Sequence, residues 1–483
     1  MHDHQSPKKL LWYNLTLIGF VSIWGLGNVV NNFAEEGLVV VISWLIIMAL
    51  YFIPYALMVG QLGSTFNADS GGVSSWIKEV ANKRLAYLAA WTYWVVNVTY
   101  LAQKSQSILI AGSWLFKGNG DFVNETSSTI VQLLCLVVFL VFLYLASRGI
   151  TTINRIGTIA GLSMLVMSIL FIFLGLSAPA LTGAKFATAN MNQISTYIPK
   201  FDFKYFTTIS MLIFAVGGSD KLSPYVNKMK KPAKDFPKGL IVLAMLVVVS
   251  ALMGSFAMGM IFDAQHIPAD LMANGAYVAF QRLGQYYHLG NLLMIIYALA
   301  NALATIAALA VSIDAPLRIL LDDADPQFVP NKLRQKNQNG VPINGYKLTG
   351  VLVSVIILIP AIGISGTNNL YNWLLNLNSV VMPLRFLWVF LAFMLLNKHL
   401  NKFKSEYVFV RNPKIGFLIG LWCFVFTAFA CILGMVPKMS FAADPAGWWF
   451  QLILNIATPI FLIGLGFILP ALARRKNEQL ISK

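Results

Sequence analysis

Hydrophobic residues run through the chain in long blocks, and most of the charge gathers in the short stretches between them. A helix needs about 20 apolar residues to cross the ~30 Å hydrocarbon layer of a bilayer. Twelve blocks fit that requirement, at 10–33, 38–62, 85–116, 128–147, 152–178, 204–225, 239–262, 287–316, 346–364, 369–396, 415–436 and 447–472. Backbone groups in lipid must be satisfied within the protein, so spans are helices or strands of a closed barrel. The blocks show no apolar–polar alternation, which a membrane barrel strand requires. The prediction is an all-α, polytopic membrane protein with 12 transmembrane helices.

Composition agrees with that picture. Of 483 residues, 58% are hydrophobic and only 11% charged, where a soluble domain carries about 25% charged residues. The net charge of +16 does not point to nucleic acid, because the basic residues sit in short loops between apolar blocks. Their distribution orients the chain by the excess of Lys and Arg on cytoplasmic loops. With the N-terminus inside, 27 of the 35 Lys and Arg fall on the cytoplasmic side, six on the other, and Lys104 and Arg385 within spans. An even number of helices with both termini cytoplasmic follows. The first block is too long for a signal peptide and is expected to be retained. Cys135, Cys423 and Cys431 all lie in apolar blocks and are expected to be packing residues. The five histidines have no metal-ligand spacing, and neither a metal nor a cofactor is expected.

Two blocks carry paired glycines at mid-span. The first reads Ser22-Ile23-Trp24-Gly25-Leu26-Gly27-Asn28 and the sixth Phe214-Ala215-Val216-Gly217-Gly218-Ser219-Asp220. Glycine costs a helix interior about 1 kcal/mol relative to alanine. These pairs therefore predict unwinding in the lead helices of two five-helix halves, 10–178 and 204–396, followed by helices 11 and 12 (415–472) and a short tail (473–483). Interrupted helices in corresponding positions of inverted repeats mark the substrate site of many transporters. The simpler explanation, close helix packing at small residues, suits one glycine pair better than two in matched places.

Ionisable residues inside a membrane are costly and face the protein interior or water. Lys104, in the third block, is expected to attract an anionic group or to fill a sodium ion's place, with snorkelling or a structural pair with the Asp220 region as the alternative. Arg385 is expected to snorkel towards the cytoplasmic face, and Asp314 and Arg318 to pair across one helical turn. No Asp or Glu falls at the middle of blocks 3, 8 or 10, so no proton relay of carboxylates is evident there. Asn97, Tyr100, Asn301 and Asn376 are candidate polar contacts to a substrate, with interhelical hydrogen bonding as their alternative use.

Four stretches carry a family resemblance. They are the Gly25-Leu26-Gly27 core, Gly71-Gly72-Val73-Ser74-Ser75-Trp76 after the second block, Phe214 to Asp220 with the following Asn227 to Lys238 connection, and Asn337-Gln338-Asn339-Gly340-Val341-Pro342. Together they resemble the amino acid–polyamine–organocation superfamily and, within it, the glutamate/γ-aminobutyrate antiporter group. The resemblance implies a LeuT-like fold, a 5+5 inverted repeat plus two C-terminal helices, working by alternating access. It implies that the backbone of Ser22, Ile23, Gly25, Leu26 and Gly27 binds an α-carboxylate. The backbone of Phe214, Ala215, Val216, Gly217 and Gly218 would bind an α-amine, with Phe214 as an aromatic gate. Asp220 stands where the family usually has glutamate.

The function expected is secondary active transport of amino acids or their decarboxylated amines, as an antiporter, with lipid as the surrounding partner. A proton- or sodium-coupled permease on the same fold is the alternative, so proton coupling stays open, as does the oligomeric state. A channel or receptor is disfavoured by the absence of a repeated pore loop. An enzyme is not expected, because the spans hold no H-E-x-x-H, Ser/Lys pair or carboxylate pair.

Overall fold

The computed structural model describes residues 10–66, 72–148, 152–323, 325, 327–338, 340–364, 366–405 and 407–481; within these, some side chains, including that of Ser22, lie outside the description. All twelve predicted blocks contain helix. They are α1 (Trp12–Ile23 and Leu26–Glu36), α2 (Val40–Ile47, Met48–Phe52 and Ile53–Thr65), α3 (Lys83–Val95 and Asn97–Lys117), α4 (Ser128–Ser147), α5 (Thr152–Thr182), α6 (Phe203–Val216, then the 3₁₀ segment Ser219–Lys228), α7 (Pro232–Ile261), α8 (Leu292–Asp323), α9 (Ile343–Leu358), α10 (Thr367–Val381, Met382–Arg385 and Phe386–Lys398), α11 (Pro413–Gly434) and α12 (Pro445–Gly464, Leu465–Phe467 and Ile468–Ile481). The first and second parts of α1 and α6 are called a and b.

Eight helical stretches among the described residues are long and apolar enough to cross a membrane, with Trp12–Val21 and Ile343–Leu358 as shorter apolar helices. α3 and α6 are absent from that set for visible reasons. α6a stops after 14 residues at its glycine pair. α3 is rich in polar residues, and it turns them inward: Thr99, Gln103, Ser105 and Gln106 are buried. α4 shows the opposite face, leaving Ile130, Leu133, Leu134, Val137, Leu140, Val141 and Tyr144 exposed at helical spacing. Apolar outside and polar inside is the arrangement lipid imposes.

The buried apolar residues form two clusters. One joins α1, α2, α6 and α7 with α11 and the second half of α10. The other joins α3, α4, α8 and α9 with α12 and the first half of α10. Phe214 packs against both. Glycines let α7 approach its neighbours closely. A Cβ at Gly239 would lie 2.9 Å from the Trp12 carbonyl oxygen, and those at Gly254 and Gly259 would meet Val29 and Leu38 at 3.0 and 2.5 Å. Such small-residue contacts hold helices together where lipid offers no hydrophobic drive.

Several boundaries differ from the sequence expectation. Two helices of eight or more residues appear outside the blocks, Val73–Val80 and Leu271–Tyr286, with the shorter Asp121–Glu125 and Asn331–Arg334; the first two are amphipathic and too short to span. α7 begins at Pro232, before the basic stretch ends, and α8 continues to Asp323. The segment read as a tail continues α12 as helix to Ile481. Two motif residues, Gly71 and Asn339, lie outside the described residues. Cys135, Cys423 and Cys431 are buried free thiols, as expected of packing residues.

Candidate functional site

Both glycine-marked interruptions are present. α1a ends at Ile23, and Trp24 and Gly25 continue in extended conformation before α1b starts at Leu26. α6a ends at Val216; Gly217 is extended, Gly218 has φ +115°, and a 3₁₀ turn follows. Only glycine takes that φ readily. The two breaks abut, since a Cβ at Gly218 would lie 3.5 Å from Ile23 Cγ1.

Asn28 stitches the breaks together. Its Nδ2 donates to the carbonyls of Ile23 (3.3 Å) and Ala215 (3.2 Å), the ends of α1a and α6a. Unwinding frees such carbonyls, and the first N–H groups of a helix likewise lack helical partners. α1b opens with those of Leu26 and Gly27. Nothing lies within 4 Å of a Cβ placed on Gly25 or Gly27, so that helix start faces open space. Leu26 itself is buried, as is Val216. At α6 the fully buried Ser219 hydroxyl has no hydrogen-bond partner among the described residues.

Beyond the α6 break sits a charged cluster. Asp220 is buried and accepts a 2.6 Å hydrogen bond from the Tyr55 hydroxyl of α2. Arg385 Nε lies 4.0 Å from its other oxygen, Oδ2. Arg385 is 4% exposed and lies over the rings of Tyr93 and Phe386. It does not snorkel: the 3₁₀ turn Met382–Arg385, with Pro383, places the guanidinium in the interior, where Asp220 and two aromatic faces replace water.

Lys221, near the end of the sixth block, also turns inward. Its Cδ and Cε lie 3.7 Å from a Cβ built on Gly218, so the side chain folds back over the break. It lies within electrostatic reach of Arg385, Asp220 and Lys104. The turn at Gly217-Gly218 produces this return, and the linear sequence gave no sign of it beyond the glycines themselves.

The other candidates divide. Lys104 is partly buried, its Nζ 5.1 Å from the centre of the Tyr100 ring. Asn97 donates to the Tyr93 carbonyl one turn back on α3 (2.7 Å). Asn301 donates to the Tyr277 hydroxyl (2.7 Å) of the helix Leu271–Tyr286. Both amides are thus used in helix–helix or local bonding, the alternative foreseen for them. Asn376 carries a buried Oδ1 without a partner among the described residues. It sits one turn before Ser379, whose hydroxyl is 3.1 Å from that of Ser210 on α6a. Asp314 and Arg318 pair at 2.6 Å, and Tyr346 donates to the same carboxylate.

Paired helix breaks in an inside-out helical fold define a membrane transporter. The chain belongs to the amino acid permease family, whose model matches residues 10–458. It is 58% identical over 478 residues to the aspartate/glutamate permease AcaP of Lactococcus lactis subsp. cremoris, covering 99% of this chain and 98% of the relative. The inner membrane transporter YjeM of Salmonella typhimurium is 26% identical, with 94% of each chain covered. A glutamate/gamma-aminobutyrate antiporter of Lactococcus lactis subsp. lactis is 22% identical, covering 94% of this chain and 88% of the relative. The protein is therefore a multi-pass membrane transporter of amino acids or amines, and not an enzyme.

Proposed function

We propose that this chain carries an acidic amino acid across the inner membrane by alternating access, with the substrate held at the paired breaks. The observation that carries this reading is the grouping of basic side chains there: Arg385 stands beside Asp220, and Lys221 folds back over Gly218 within electrostatic reach of Arg385 and Lys104. Such a group suits a substrate bearing two carboxylates and one ammonium, whose second carboxylate would hold Lys221 in its charged form. The name of the 58% identical relative points the same way.

In this reading the backbone from Ser22 to Gly27 receives the α-carboxylate, aided by the positive end of the α1b dipole. The freed carbonyls from Phe214 to Gly218 receive the ammonium, Phe214 closes over the substrate, and Lys104 and Lys221 supply charge for the second carboxylate. Asn376 remains available for a polar contact; Asn97 and Asn301 keep their present partners. α1–α5 and α6–α10 are inverted repeats, and both termini are cytoplasmic. Exchange against a second amino acid or its decarboxylated amine is the mode proposed, a mode that one relative's name carries. A proton-driven permease is the second reading, favoured by a carboxylate on α1b described below.

Counterflow in proteoliposomes tests the proposal. Vesicles loaded with one unlabelled amino acid should take up labelled glutamate or aspartate and discriminate against neutral and aromatic amino acids. A charge-assisted hydrogen bond contributes about 1.5–3 kcal/mol, so Lys221→Gln should weaken glutamate uptake at least ~10-fold while sparing glutamine. Equal loss for both substrates would remove the charge argument.

A further inference from the structure

The last residue of α1b, Glu36, lies at the end of that helix remote from the break, on the outer side in the proposed orientation. Its carboxylate is partly buried and held by hydroxyls from two other helices. Oε2 accepts from Ser43 of α2, and Oε1 accepts from Thr208 of α6a at 2.7 Å. Ser43 Oγ is in turn 3.1 Å from the Tyr205 hydroxyl. The nearby cation is otherwise engaged. Lys438, in the α11–α12 connection, lies 3.7 Å from Glu35 Oε2 and donates to the Thr207 carbonyl (2.6 Å) and hydroxyl (3.1 Å). Lys204, exposed at the start of α6a, adds positive charge near Lys438. The titratable groups around Glu36 are thus Glu35 on its own helix, Tyr205 and Lys204 on α6a, and Lys438, while the loop that meets Gly37 at Ala264 carries Asp263 and His266, paired with each other; α2 offers only the Ser43 hydroxyl among the described residues.

Counting hydrogens shows what this arrangement accommodates. Thr208 has one hydroxyl hydrogen and two acceptors in reach, Glu36 Oε1 and the Tyr205 carbonyl at 2.6 Å. A hydroxyl donates once and accepts twice, and a protonated carboxyl gains one donor. With Glu36 ionised, Thr208 donates to it. With Glu36 neutral, its O–H donates to Thr208 Oγ1, and the Thr208 hydrogen turns to the Tyr205 carbonyl. Both states are satisfied without moving a heavy atom. A carboxylate built only to pair with a cation has no use for that second state.

We infer that Glu36 is a proton-binding site through which transport is coupled to a proton gradient. One proton passes from the outer solution to Glu36 Oε1, converting carboxylate to neutral acid. It is released, and the carboxylate restored, when α1b and α6a swing together away from Ser43 of α2 and open Glu36 towards the inner side. The electrostatic tie of Glu36 to the Lys438 region changes at each step, on the same helix whose other end opens the substrate site.

The test combines a spectroscopic and a transport measurement. In infrared difference spectra between acid and alkaline pH, the purified protein should show a carboxylic acid C=O band that is absent in Glu36→Gln. Reconstituted Glu36→Gln should keep aspartate counterflow within about twofold and lose the several-fold acceleration by an inward proton gradient. Thr208→Val keeps the carboxylate but removes a donor favouring its ionised form, and should move the pH midpoint of the band upward. An unchanged band in Glu36→Gln, or undiminished acceleration by the gradient, overturns the assignment. Absence of aspartate counterflow in the wild type would instead count against the substrate reading, and the infrared result would still decide the proton site.

Discussion

A methyl group added at Gly217 would lie 2.0 Å from Phe386 Cζ, whereas one added at Gly25 meets nothing within 4 Å. The two break glycines therefore serve different ends. Gly217→Ala forces a buried aromatic ring or the α6 turn to shift, at a cost of about 1–3 kcal/mol. Its melting temperature in detergent should fall measurably. Gly25→Ala should melt like the wild type, because its extended backbone accepts any residue, yet it places a methyl in the open space before α1b. Glutamate counterflow should then drop at least ~10-fold with folding intact. Equal thermal loss in both variants would show that Gly25 is a packing residue. At this scale the glycines were legible because a helix interior tolerates them poorly. Lys221 and Arg385 were not, because a charge's depth depends on which way the chain turns after Gly218 and through the Pro383 turn. Hydropathy places a residue within a block or beyond it and says nothing of the direction in which its side chain points.

At the scale of elements, hydropathy located every long helix because lipid demands unbroken apolar length, and the described helices overlap each predicted block. It missed Val73–Val80 and Leu271–Tyr286, whose polar faces break the apolar run: Lys78 and Glu79 in the first, Gln281, Arg282 and Gln285 in the second. Helix contacts were less legible than helix positions. The closeness of α1a to α7 rests on Gly239, where a side chain would collide with the Trp12 carbonyl and with Leu15. A backbone atom cannot swing aside as a flexible side chain can, so Gly239→Val should separate the helices. We expect a lower melting temperature and reduced membrane yield, with Gly464→Val, which has open space around it, as the tolerated control.

For the molecule as a whole, α1b and α6a are fastened at two levels. Asn28 reaches the Ala215 carbonyl in the middle, and Glu36 meets Thr208 at the end of α1b remote from the break. Two attachment points along a pair of rods remove the freedom of one to pivot on the other, so the pair has the degrees of freedom of a single body. In the alternating-access cycle proposed above, the rearrangement would be concentrated at the unwound joints, where α1a and α6b leave the pair. Spin labels on Asn31 and Lys204 should keep a fixed separation when substrate is added, while the distance from Tyr13 to either of them changes. The cycle would then run as a crank with two elbows, its stiffness set by hydrogen bonds and its stroke by four residues, Trp24, Gly25, Gly217 and Gly218.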